Sequence, residues 1–114
     1  MQPDERDRAY LWDMLSACEE VIEYTAGVTV ETYFANRQLR RSVERPVQII
    51  GEAAAQVSET FKEAHPEIPW PAIIAQRHVL VHGYRGIDHS LIWQVATARI
   101  PLLLDHLRNL TPRP

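Results

Sequence analysis

Leu11-Trp12-Asp13-Met14-Leu15-Ser16-Ala17-Cys18-Glu19-Glu20-Val21-Ile22-Glu23-Tyr24-Thr25 returns to an apolar side chain every three or four residues. Leu11, Met14, Leu15, Cys18, Val21, Ile22 and Thr25 therefore fall on one stripe of an amphipathic helix. The spacing predicts a helix from about Asp4 to Ala26, with Gly27 as its C-terminal stop.

Working outward, the same period recurs. Val28 to Asn36 reads as a connector with room for one short helical turn, Val30, Tyr33 and Phe34 tucked against the bundle. A second long helix is predicted from about Asn36 to Phe61, with Leu39, Val43, Val47, Ile50, Ala54, Val57 and Phe61 inward and a kink at Pro46. His65-Pro66-Glu67-Ile68-Pro69-Trp70-Pro71 is a stiff link, and Pro71 suits the first position of a third helix. That helix carries Ala72, Ile73, Ile74, Val79 and Leu80 until Gly83 and Gly86 break it. Asp88 reads as the N-cap of a last helix from about His89 to Leu107, with Leu91, Ile92, Val95, Ala98, Leu102 and Leu103 inward and a bend at Pro101. No stretch alternates with period two for long enough to make a strand. The expected fold is all-α, an antiparallel bundle of four main helices forming one domain over residues 1–114.

The chain is 114 residues long and 46% hydrophobic, ordinary for a globular domain. No apolar run approaches the ~20 residues that span a bilayer. The acidic, polar opening Met1 to Asp7 lacks a signal-peptide core, so a cytoplasmic location is expected. The single Cys18 lies on the apolar stripe and reads as a small buried hydrophobe. A net charge of −3 argues against a general nucleic-acid coat protein, but an enzyme needs only a local cationic pocket. The polar stripe Arg37, Arg41, Arg45, Gln48 and Glu52 reads as a solvated or dimer-facing surface. Trp12, Trp70 and Trp93 read as packing residues.

Chemistry concentrates in Arg77-His78-Val79-Leu80-Val81-His82-Gly83-Tyr84. Arginine holds a phosphate by two parallel hydrogen bonds. Histidine exchanges a proton near neutral pH, and the tyrosine hydroxyl can donate, ligate or be modified. On a regular helix Arg77 and Tyr84 share a face, and His82 stands ~140° round from Arg77. Gly83 lets the chain leave helical geometry, and a shared site in a dimer offers a second solution. The plainer reading of His82 is a helix-terminal histidine satisfying loose carbonyls. His78 and His82 also stand at a metal-clamping spacing, although only Asp88 and His89 are at hand as further ligands.

The pattern Arg-(any four)-His-(any one)-Tyr resembles the signature of HEPN-type ribonucleases. With Arg6-Asp7-Arg8-Ala9-Tyr10-Leu11, Ile49-Ile50-Gly51-Glu52-Ala53, Trp70, His82 to Asp88 and Ile92-Trp93, nearly the whole chain resembles a HepT-type toxin of that superfamily. The resemblance implies a HEPN-like helical homodimer whose two motifs face one cleft. It implies a metal-independent endoribonuclease without cofactor, acting on RNA. It also implies a small nucleotidyltransferase antitoxin of the MNT type as partner, and no membrane. By motif position Arg77 is the phosphate-binding residue, His82 the catalytic histidine and Tyr84 the AMPylated tyrosine, with His78 and Arg85 in support. Two positions depart from the family pattern. His78 stands where a polar amide is usual, and Pro46 interrupts a helix usually kept unbroken. A non-catalytic helical module that binds nucleotide or scaffolds a nucleotidyltransferase is the competing reading.

Overall fold

The computed structural model describes residues 3–81 and 88–110, without the side chains of residues 77–81. The described residues are helical apart from short connections, and none is in a strand. Helix α1 (Glu5–Thr25) matches the prediction within a residue at each end. Leu11, Met14, Leu15, Cys18 and Val21 are buried along it. The Asp4 carboxylate caps its start by accepting from the Asp7 N–H at 2.7 Å. Gly27, at φ +72°, supplies the left-handed turn that ends it.

The connector contains α2 (Val30–Ala35), capped by Thr29. Tyr33 is fully buried there, but Phe34 is 42% exposed, against expectation. Helix α3 (Arg37–Gln56) runs continuously past the buried Pro46. Leu39 packs partly buried at its start, and Val43, Val47, Ile50 and Ala54 are buried further on.

The predicted second helix is in fact two, because the chain leaves helical geometry at Val57 before α4 (Glu59–Ala64) begins. The buried carboxylate of Asp7 is the physical reason. It accepts from the Ser58 N–H at 2.8 Å and from the Ser58 hydroxyl at 2.6 Å, tying this corner to the first turn of α1. The same hydroxyl accepts from the Phe61 N–H and so caps α4. Phe61 is buried as expected, from a separate helix.

Helix α5 (Trp70–Val81) starts one residue before Pro71, whose missing N–H costs nothing in a first turn. The last helix departs most from expectation. It divides into α6 (His89–Gln94), a π-helical turn (Val95–Arg99) and α7 (Ile100–Leu110). In a regular helix the Pro101 ring would press on the carbonyl of Thr97. The wider turn, in which the Ile100 N–H reaches back five residues to the Val95 carbonyl, removes that clash. It also turns everything that follows by about one residue, ~100°. Leu102, predicted inward, is exposed for this reason, while Ile100, Leu104 and Leu107 are buried beside the expected Leu103; Ala98, also predicted inward, is exposed within the turn itself.

Helix α1 packs most extensively on α3 and also meets the π-turn and α7, while α3 carries α5. No described helix is long and apolar enough to cross a membrane.

Candidate active site

The motif begins on α5, which is fixed at its N-terminal end. Trp70 is buried and its indole N–H donates to the His65 carbonyl at 3.0 Å. Its ring meets Phe61 edge to face, and Phe61 in turn lies 4.3 Å from the His65 ring. Beside it the His65 imidazole pairs with Glu67 at 3.2 Å. Glu67's own backbone N–H, and then the nearby imidazoles, hold its carboxyl below the usual range.

Arg77 and His78 belong to the helical backbone of α5. Arg77 follows Trp70 by seven residues and Ile73 by four, two of the three positions on that helix described as buried, Gln76 being the third. The positions of His82, Tyr84 and Arg85 lie outside the described residues, as does any geometry between them and Arg77. The His78–His82 spacing considered for a metal falls there too.

Beyond the motif the chain is again fixed. The Asp88 carboxylate accepts from the Leu91 N–H at 3.1 Å and caps α6, as predicted. That bond gives Asp88 a structural task. His89 has its Nδ1 3.6 Å from a Glu44 carboxylate oxygen on α3, an ion pair when the imidazole is protonated. Tyr33 is buried beside them, its ring 5.0 Å from that of Trp93. Burial, then the Glu44 charge, push the Tyr33 phenol up to about 12 against a smaller opposing effect of Arg40.

Both flanks of the motif therefore rest on α3, through its packing with α5 and with α6. Sequence reading missed Glu44, because a carboxylate 45 residues from His89 carries no local sign of that pairing. The arginines of the α3 stripe, Arg37, Arg41 and Arg45, are exposed on this chain, and Gln48 donates to Glu52 at 3.0 Å. Cys18 is fully buried and its thiol is pushed up to about 12, first by burial and then by Glu19. It is inert packing.

A model of the family described as "Ribonuclease HepT-like" matches residues 14–110. The probable ribonuclease HepT of Thermococcus cleftensis is 35% identical over 101 residues, 89% of this chain and 92% of that protein. An RNase-named protein of Methanocaldococcus jannaschii is 34% identical over 94 residues, covering 82% and 86%. Another from Caldanaerobacter subterraneus is 33% identical over 103 residues, covering 90% and 92%. No solved structure matches. With the family model spanning most of its length, including the Arg77 to Tyr84 motif, the chain belongs to the HepT-like ribonuclease family.

Proposed function

We propose that this protein is an endoribonuclease toxin that cleaves RNA without a metal, with Arg77 and His82 as its catalytic residues. The observation that carries the reading is the family membership, joined to the order Arg77, His82, Tyr84 inside the matched region. In this reaction the 2′-hydroxyl of the ribose attacks the adjacent phosphorus and the 5′-oxygen leaves. A cyclic 2′,3′-phosphate remains on one fragment and a 5′-hydroxyl on the other. His82 moves a proton at one of these oxygens, and the Arg77 guanidinium offsets charge on the phosphoryl oxygens.

One histidine per motif is few for both acid and base duty, so the reading places two motifs in one cleft of a homodimer. Each chain then contributes its four main helices as an antiparallel bundle, residues 1–114 acting as one domain. Control falls to a nucleotidyltransferase antitoxin of the MNT type that transfers AMP to Tyr84. The added phosphate and purine stand beside Arg77 and Arg85 and occupy the cations that RNA needs. His78, which replaces a usual amide, tunes the same pocket. The toxin acts in the cytoplasm, where RNA and ATP are at hand.

The test is direct. Co-expression with the partner encoded beside it, in the presence of ATP, should raise the intact mass by whole AMP units located on Tyr84 and abolish RNA cleavage. Tyr84→Phe should escape the addition and still cut RNA. An unmodified mass alongside full neutralisation would replace covalent control by simple occlusion.

A further inference from the structure

Four of the nine residues from Arg37 to Arg45 are arginines and one is acidic, in a chain whose net charge is −3. Arg40 donates to the Phe34 carbonyl near the end of α2. Glu44 faces His89, where the chain returns from the motif. Arg37, Arg41 and Arg45 are exposed, and their guanidinium groups make no ion pair or hydrogen bond among the described residues. At steps of four they form a row with a ~6 Å pitch, standing ~20°, ~60° and ~100° round from Glu44 on the same side of the helix. The row therefore runs beside the line of α3 that meets His89.

Two further features mark this row. Arg37 lies in the first turn of α3, which holds no acidic residue, whereas α1 places Glu5 and Asp7 in its first turn. A cation there faces the positive end of the helix dipole, which works against the helix and favours a bound anion. At the head of the row, three residues before Arg37, stands Phe34, exposed although its neighbour Tyr33 is fully buried. Exposed cations in file with an exposed ring are the composition of a surface for single-stranded RNA. The guanidinium groups follow successive phosphates and the ring stacks on a base. The acidic remainder of the chain repels RNA and directs a strand to this positive face. A protein partner grips an apolar patch, and Phe34 stands alone here, since the other large exposed apolar side chain among the described residues, Leu102, is on α7.

We propose that α3 carries a track for single-stranded RNA, with Arg37, Arg41 and Arg45 on backbone phosphates and Phe34 stacked on a base. The proposal rests on the ribonuclease reading above and adds the surface that holds the substrate strand.

Binding is measured on the His82→Ala protein with a short fluorescein-labelled oligouridylate across a salt series, so that no cleavage is required. Changing Arg37, Arg41 and Arg45 together to Gln should lower the slope of log affinity against log salt by about 2, at ~0.7 per phosphate contact, and weaken binding at least ~10-fold. Lysine at the same three positions should keep the slope. Arg6→Gln, Arg8→Gln and Arg108→Gln together remove equal charge elsewhere and should change it far less. Phe34→Ala should weaken binding at least ~5-fold with the slope unchanged, because stacking releases no counterions. Unchanged binding by the arginine variant or by Phe34→Ala, or equal losses in the two triple variants, overturns the proposal. So does an arginine variant that sediments as a monomer where its parent is a dimer, since a second copy is then the occupant. One that binds RNA normally but escapes neutralisation by the nucleotidyltransferase assigns the row to a protein instead. Cleavage by the intact protein reports separately: RNA held through the row but never cut would remove the ribonuclease reading and leave the track.

Discussion

Tyr33 carries the least comfortable atom in the described core. Its hydroxyl is buried with no hydrogen-bond partner among the described residues. Removing that oxygen removes an unpaired polar group and leaves the ring packed on Trp93. Tyr33→Phe should therefore raise stability at pH 7 by about 1 kcal/mol in urea unfolding, and a loss of stability would contradict the local geometry. The same residue gives a pH dependence. The folded phenol sits at about 12 against an ordinary 10.0, and the Cys18 thiol at about 12 against 9.0. Above the ordinary values the unfolded chain has released these protons and the folded chain still holds them. Their contribution is complete below pH ~9 and is lost as pH climbs toward 12. Stability should fall between those limits, and less steeply in a Tyr33→Phe, Cys18→Ala double variant. Equal slopes for the two proteins would show that neither group titrates abnormally.

At the scale of elements, the apolar period placed both ends of α1 and the start of α3 within a residue, and the cap at Asp88 was read from its residue type and position. Two features stayed hidden. The end of α3 depends on Asp7, 51 residues from Ser58, and no local pattern shows such a partner. The π-turn depends on how the chain relieves Pro101, which a straight helical wheel cannot display. Both lead to measurements. Asp7→Ala leaves the Ser58 N–H and hydroxyl without their acceptor and should cost ~2–4 kcal/mol. For the π-turn, Leu104→Ala should cost ~2–4 kcal/mol, while Leu102→Ala should stay within ~0.5 kcal/mol. The reverse order would mean that the last helix runs regularly through Pro101. The motif itself was legible as residue types and spacing, and its support from α3 was not, because packing between distant segments creates it.

At the scale of the whole molecule, the proposed chemistry asks more of the chain than one copy supplies. A single motif offers one cation and one proton-transfer residue of the family pattern, and a two-fold dimer doubles both in one cleft. The protein should sediment as a dimer at micromolar concentration. A mixture of Arg77→Ala and His82→Ala chains should recover part of the activity that each lacks alone. A monomer that cuts RNA at full rate would refute the shared cleft. The most direct test of the central claim is cleavage of RNA by the purified protein in EDTA, beside the His82→Ala variant at equal helical content. The account predicts fragments ending in 2′,3′-cyclic phosphate from the wild type and none from the variant. Cleavage by His82→Ala at the wild-type rate, or an absolute need for a divalent ion, would contradict it.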